Sequence, residues 1–159
     1  MSLDIWVAKM APPVYSAVPS MTRDSSLPPP KSGQRLRLLL VEDSPQLRRS
    51  MARALKSQFT VIEATDGKVA VDLVRDSAAR GESFDVMVTD LEMPQMNGRE
   101  ALAEISKIAP QLAACTIVMT GGAKDPVLAA WLTTFPAERV LAKPAGLDQL
   151  CAAIFSLVS

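Results

Sequence analysis

The feature that most constrains the fold is a regular alternation of short apolar runs and amphipathic stretches that begins near residue 36. In the run that ends at Asp90, Val86, Met87 and Val88 show no polar alternation, which is typical of a strand that is covered on both faces. The stretches between the apolar runs carry apolar residues at helical spacing and are bounded by Pro, Gly, Asp or Ser. Five repeats of a strand followed by a helix predict a parallel sheet with helices on both faces and right-handed connections.

The predicted elements follow from these patterns. The strands are expected at 36–41, 59–64, a run that ends at Asp90, 116–119 and 139–142. The helices are expected to begin at Ser44-Pro45, at Asp66-Gly67, at Arg99, at Asp125-Pro126 and at Leu147, with the third stopped by Pro110. A chain this short favours an open sheet over a barrel. We therefore expect an α/β, flavodoxin-like open parallel sheet of five strands in the order 2-1-3-4-5.

The start of the chain has a different composition. Residues 1–35 are rich in Pro and Ser, and the prolines are spaced so that no helix or strand can run long. We interpret this part as an N-terminal extension or linker that precedes one domain at 36–159. An apolar patch in it could dock on the domain or a partner, or belong to an appended expression segment. The patch comprises Leu3, Ile5, Trp6, Val7 and Met10.

Charge and cysteine usage exclude several classes of function. Lys+Arg and Asp+Glu are balanced at 17 each, so we expect no nucleic acid partner and no contact with an anionic membrane surface. Cys115 and Cys151 are isolated in apolar surroundings, which predicts core packing rather than a disulfide or a zinc site. No stretch has the length of a membrane span, and the start does not resemble a signal peptide. A cytoplasmic location is expected.

The chain contains no histidine. This excludes a histidine base, a histidine metal ligand and a phosphohistidine on this chain. Any phosphoryl chemistry here must therefore use carboxylates.

Polar residues follow four of the predicted strands. Glu42 and Asp43 follow the first, Asp90 the third, Thr120 the fourth and Lys143 the fifth. In an open parallel sheet these strand ends share one crevice. Each residue alone has an ordinary explanation as a loop acid, a strand-end hydroxyl or a surface lysine. Their joint placement is what predicts a site.

Three acids in one crevice imply a hard divalent cation between them, and Mg²⁺ prefers oxygen ligands of this kind. A carboxylate oxygen of Asp90 could then attack phosphorus in line. Mg²⁺ and the Lys143 ammonium would offset charge on the phosphoryl oxygens, and the Thr120 hydroxyl would donate to one of them. The pattern predicts formation of an aspartyl phosphate.

Four motifs resemble those of the receiver domain of bacterial two-component response regulators, a family similar to the chemotaxis regulator. They are LLLVEDS at 38–44, VTDLEMPQMNG at 88–98, VMTG at 118–121 and LAKP at 141–144. The resemblance implies that a sensor histidine kinase or a histidine phosphotransfer protein is the partner, and it allows a weak homodimer.

The resemblance also implies roles for single residues. Glu42, Asp43 and Asp90 would be Mg²⁺ ligands together with the backbone carbonyl of Glu92, and Asp90 would be the phosphorylated residue. The Lys143-Pro144 peptide bond is expected to be cis, which an X-Pro bond makes accessible.

One departure from the family pattern concerns the switch. In the family, a tyrosine or phenylalanine three residues before the lysine swings inward as the threonine hydroxyl moves to the phosphoryl group. That position is Val140 here, so we expect the coupling from Thr120 through Val140 to be weak. Gly121-Gly122 and Pro136 also predict an abbreviated fourth helix.

The TGGA and LAKP motifs resemble receivers at the C-terminal ends of hybrid sensor histidine kinases. We therefore expect a receiver of that kind, with a free-standing single-domain response regulator as the alternative.

Two other classes of function remain to be compared. A flavodoxin-type cofactor binder would need a loop rich in hydroxyls and glycines after the first strand, where this chain has acids that would repel phosphate. A magnesium-dependent phosphohydrolase similar to haloacid dehalogenases would use Asp90 as nucleophile and a second acid at the position of Glu92. Met93-Pro94 follows that acid, however, and Glu42 and Asp43 would have no role.

Overall fold

The structure, a computed structural model, describes residues 33–159. The apolar patch from Leu3 to Met10 and almost all of the expected linker lie outside these residues.

All five predicted strands are present, with bounds shifted by at most one residue. They are β1 Arg37–Val41, β2 Thr60–Ala64, β3 Val86–Asp90, β4 Thr116–Thr120 and β5 Val140–Ala142. Every pairing is parallel, and the order β2-β1-β3-β4-β5 confirms the predicted topology.

Six helices and a 3₁₀ turn connect or follow the strands within the described part of the chain. The helices are α1 Pro45–Leu55, α2 Gly67–Ala79, α3 Gly98–Ile108, α4 Pro110–Ala114, α5 Pro126–Thr134 and α6 Leu147–Val158, and the 3₁₀ turn is Ala137–Arg139. At 9 residues, α5 is shorter than α1, α2, α3 and α6, as expected from the glycines and proline around it.

Side-chain caps fix where α1, α2, α3 and α5 begin. The carboxylate of Asp66 accepts a hydrogen bond from the Val69 N–H at 2.9 Å at the start of α2. Asn97 and Glu100 form a reciprocal capping box at the start of α3. Because each cap satisfies backbone donors that would otherwise lack partners, the chain leaves the sheet and enters the helix at a defined residue. The loops after the strands are therefore short.

The core lies in two layers, one on each face of the sheet. Alternate residues of β1 point to opposite faces: Leu38 and Leu40 pack with α1 and α6, whereas Leu39 and Val41 pack with α2, α3, α4 and α5. Full burial of one such side chain contributes about 1.5–3 kcal/mol. Burial on both faces explains why Val86, Met87 and Val88 of β3 show no polar alternation.

The cysteines agree with the expectation of core packing. Cys151 is buried on the inner face of α6, Cys115 is half-buried, and neither forms a disulfide. No helix among residues 33–159 has the length and apolar character required to cross a bilayer.

Two features near β4 and β5 differ from the predictions. Pro110 is expected to stop the third helix, which does end at Ile108, but the same proline also begins the short helix α4. Proline is favoured at the first position of a helix because its missing N–H is not needed there. Arg139 is expected to begin the fifth strand, but it ends the 3₁₀ turn instead and is only 5% exposed.

Hydrogen bonds from Arg139 connect this turn to the N-terminal end of β4. Its Nε donates to the Thr116 carbonyl at 2.9 Å and a terminal nitrogen donates to the Ala113 carbonyl at 3.0 Å. The guanidinium also lies 4.6 Å from the ring centroid of Phe135. Such a buried cation contributes hydrogen bonds and a cation–π contact at once.

Replacing Arg139 with alanine is expected to lower the free energy of unfolding by about 2–3 kcal/mol, because buried carbonyls lose a charged donor and a cavity forms. Urea unfolding followed by circular dichroism measures this. The control is Arg53→Ala, which removes an exposed arginine from α1 and should change stability by less than about 0.5 kcal/mol. Equal effects of the two substitutions would contradict the role of Arg139.

Candidate functional site

The register of the sheet brings the predicted polar residues to one edge. Val41 pairs with Thr89, so Glu42, the next residue, lies beside Asp90. Thr120 pairs with Ala142, so Lys143 follows at the same edge. The Lys143 N–H donates to the Thr120 carbonyl at 2.8 Å, which extends the pairing of β4 and β5 into the site.

The Lys143 ammonium bridges two of the acids. Its Nζ lies 2.7 Å from a carboxylate oxygen of Glu42 and 3.0 Å from one of Asp90. Glu42 is 3% exposed and Asp90 9% exposed. Charges removed from water to this degree are stable only when they are paired and hydrogen-bonded.

The pKa values reflect this environment. Burial raises the pKa of Asp90 above its ordinary value, and the hydrogen bond from Lys143 offsets only part of that rise. Burial is also the main reason why the pKa of Glu42 is raised. Burial lowers the pKa of Lys143, but its hydrogen bonds to Glu42 and Asp90 outweigh this effect, so its pKa is raised. The lysine is therefore charged at neutral pH.

The acids form a cluster that fits a hard cation. One carboxylate oxygen each of Glu42, Asp43 and Asp90 lie within 4.8 Å of one another, and all three donors are oxygens, as Mg²⁺ prefers. Both oxygens of Glu42 already accept hydrogen bonds, one from Ser44 N–H and one from Lys143. Asp43 accepts no side-chain hydrogen bond from any residue in the range 33–159. These bonds favour Asp43 over Glu42 as a direct ligand.

Arg48 supports the acidic pair, although nothing in the sequence pattern points to it. Its guanidinium donates to the Glu42 carbonyl at 2.9 Å and lies 3.5 Å from the Glu63 carboxylate on β2. It therefore joins α1 to the loop that carries Glu42 and Asp43. The only local sign of this residue is its place in the first turns of an amphipathic helix, and that place does not indicate a contact with the acids.

The backbone after Asp90 is closely packed. Leu91 N–H donates to the Met119 carbonyl at 3.1 Å, and Gly98 N–H donates to the Leu91 carbonyl at 2.8 Å. A Cβ atom at Gly98 would lie 2.4 Å from the Asp90 carbonyl oxygen, so only glycine allows this approach. The loop is thus held firmly next to Asp90.

The side chain of Glu92 has a contact that the sequence does not predict. One of its oxygens accepts hydrogen bonds from the N–H groups of Lys124 at 2.6 Å and Asp125 at 3.1 Å. These residues belong to the loop after β4. No local pattern could indicate a contact between residues so far apart in the chain, and the role of the Glu92 carbonyl as a ligand stays a prediction.

The two predicted switch residues lie on neighbouring strands. The Thr120 hydroxyl oxygen accepts a hydrogen bond from Gly122 N–H at 3.1 Å, and Val140 is half-buried and pairs with Val118. The Lys143-Pro144 peptide bond is cis.

Replacing Lys143 with methionine is expected to raise the pKa of both Asp90 and Glu42 further, because the hydrogen bonds that lower these values are lost. Both groups would then become protonated at a higher pH than in the unaltered protein. Side-chain ¹³C NMR titration without Mg²⁺ measures the two values. Lys124→Met, which removes an exposed charge, should leave them unchanged; unmoved values in Lys143→Met would show that the lysine does not bind both acids in solution.

Comparisons with known proteins agree with this geometry. The family model for the response regulator receiver domain matches residues 38–155. The chain is 34% identical over 121 residues to the sensor kinase CckA of Brucella abortus, an alignment that covers 74% of this chain and 12% of the kinase. The first three curated relatives are covered over 12%, 23% and 31% of their length, so the chain spans less than a third of each.

Two solved structures show the same fold. A response regulator receiver domain from Clostridium thermocellum superposes with a TM-score of 0.65 at 25% identity, covering 77% of this chain and 94% of the other. The receiver domain of the hybrid histidine kinase CckA gives a TM-score of 0.56 at 25% identity, with 77% and 99% covered.

Proposed function

The chain belongs to the family of response regulator receiver domains, and from this premise we propose that it accepts a phosphoryl group on Asp90 from a phosphohistidine of a partner protein. The observation that carries the proposal is the bridge from Lys143 to Glu42 and Asp90, which lies beside the Asp43 carboxylate. The partner would be a sensor histidine kinase or a histidine phosphotransfer protein.

In the proposed transfer, an Asp90 carboxylate oxygen forms a bond to phosphorus while the bond from phosphorus to the histidine nitrogen breaks, and the electron pair stays on the imidazole. Lys143 already lies 3.0 Å from an Asp90 oxygen, close enough to offset negative charge that arrives there. The Thr120 hydroxyl accepts from Gly122, which leaves its proton available for donation to a phosphoryl oxygen.

The acid cluster supports a requirement for Mg²⁺. Asp43 and Asp90 would bind the ion directly, the Glu92 carbonyl would be a further ligand, and Glu42 would act through a bound water because both of its oxygens have partners. When bound, Mg²⁺ supplies positive charge that offsets the phosphoryl oxygens.

The similarity to CckA supports the proposal that the chain is the receiver of a hybrid sensor histidine kinase, with a free-standing single-domain response regulator as the alternative. We further propose that residues 36–159 form the receiver and that residues 1–35 are an N-terminal extension or linker. The expected location is the cytoplasm, with no nucleic acid or membrane contact by this part, and a weak homodimer is compatible with the family.

The Glu92 side chain argues against a phosphohydrolase. The second acid of such an enzyme must be available to move a proton at the nucleophile. One oxygen of the Glu92 carboxylate instead accepts hydrogen bonds from the backbone N–H groups of Lys124 and Asp125, which hold the side chain against the loop after β4.

Incubation with acetyl phosphate and Mg²⁺ is expected to add the mass of one phosphoryl group, because acetyl phosphate can replace the phosphohistidine donor. Intact-mass spectrometry measures the adduct. Asp90→Asn and chelation of Mg²⁺ should each abolish it, whereas Asp72→Asn, which alters an acid on α2, should not. An equal adduct in Asp90→Asn would place the nucleophile elsewhere.

A separate prediction concerns the two switch residues, Thr120 and Val140. Val140 lacks the reach and the hydroxyl of a tyrosine, and its branched side chain is restricted in rotation, so it can relay little change from Thr120. Beryllofluoride, a mimic of the phosphoryl group, should therefore protect mainly the loops after Asp90 and Thr120 from hydrogen exchange. Asp90→Asn with beryllofluoride is the control, and broad protection through 127–141 would show that a switch operates without the aromatic.

A further inference from the structure

Glu92 joins two loops of the site through its side chain. The residue follows Asp90 and Leu91 in the loop after β3, and its carboxylate accepts from the Lys124 and Asp125 N–H groups at 2.6 and 3.1 Å in the loop after β4. Among residues 33–159, no other hydrogen bond connects residues 121–125 to a different loop. The Glu92 carboxylate is therefore the polar link between the two segments.

One side of this link is rigid. Leu91 is fully buried, its N–H bonds to the Met119 carbonyl, and its carbonyl accepts from Gly98 at 2.8 Å. The close approach of Gly98 to the Asp90 carbonyl holds the same stretch from the opposite side. Glu92 therefore extends from a fixed backbone.

The loop after β4, on the other side of the link, is not held in place by its own sequence. Gly121 and Gly122 are exposed, and Gly122 has a φ of +105°, a conformation that favours glycine. Glycines lower the cost of alternative backbone conformations, so the path from Thr120 to the cap of α5 is weakly determined by its own sequence. Asp125 begins α5 by accepting from Val127 N–H at 2.7 Å, but that bond lies within its own helix.

We propose that Glu92 is a positioning residue that holds the loop after β4, and through it the Thr120 hydroxyl, against the phosphoacceptor. The Thr120 part of this proposal rests on the proposed function. Both donors are neutral backbone N–H groups, so the link requires an acceptor oxygen and does not require a negative charge. Glutamine can supply that oxygen, whereas alanine cannot.

Hydrogen exchange tests the link without any phosphoryl donor. In Glu92→Ala, exchange of the Lys124 and Asp125 amides should become about fivefold to tenfold faster, because each loses its acceptor. In Glu92→Gln it should stay within about twofold of the unaltered protein. Glu104→Gln removes the same charge from the exposed side of α3 and serves as the control. Thermal unfolding verifies that each variant is folded.

Phosphorylation by acetyl phosphate with saturating Mg²⁺ tests the consequence for Thr120. The rate should fall about tenfold in Glu92→Ala and change little in Glu92→Gln. Because Glu92 acts through Thr120, adding Glu92→Ala to Thr120→Ala should slow the reaction no further. A merely structural effect would be additive with Thr120→Ala.

The outcomes separate this proposal from the proposed function. Unchanged amide exchange in Glu92→Ala, equal defects in the alanine and glutamine variants, or additivity with Thr120→Ala would overturn the positioning role. If the unaltered protein takes up no phosphoryl group, the proposed function fails, and the exchange experiment alone decides whether Glu92 holds the loop.

Discussion

The geometry of the site depends on the ion pairs that the Lys143 ammonium forms with Glu42 and Asp90. The parallel sheet forces Glu42 and Asp90 together, and both are nearly excluded from water. Without a cation between them, the repulsion would push one carboxyl to its neutral form or open the strand ends. The lysine that prevents this lies 101 residues from Glu42 in the chain. The edge strand β5, only three residues long, is therefore part of the site as well as part of the sheet.

The loops around this charge cluster differ in how firmly they are held. The loop after β1 is fixed by Arg48 and by the Ser44 cap, and the loop after β3 by the hydrogen bonds of Leu91 and the packing of Gly98. The loop after β4 contains two glycines and depends on an acceptor from another segment. Because the loops after β1 and β3 are firmly held and the loop after β4 is weakly determined, conformational freedom in the site is concentrated around Thr120. This is the residue that must respond to an added phosphoryl group under the proposed function.

The sequence predicts local features well and distant contacts poorly. Strand positions, helix starts and the acids at strand ends follow from periodicity, capping residues and chain order, because these signals lie within a few residues of what they determine. The burial of Arg139 and the acceptor role of Glu92 depend on carbonyl and N–H groups more than 20 residues away. No pattern around either residue records such a partner. Pro110 shows a different limit, because proline favours both the end of one helix and the start of the next.

Under the proposed roles of Glu92 and Val140, the route from the site to α5 would use backbone groups instead of an aromatic side chain. A switch through position 140 would require a large side chain with two stable positions, and valine offers neither. The contact of Glu92 with the N–H groups of Lys124 and Asp125 ends at the cap that begins α5. Helix α5 carries no charged residue, and Val127 at its start is 41% exposed. A shift of the loop would therefore change where an uncharged, partly apolar helix begins, without any rearrangement of β5. A ligand shifts such an equilibrium only by its different affinity for the two loop positions. If Glu92 has the proposed role, the strength of its link would set how much of a change at Asp90 reaches the helix.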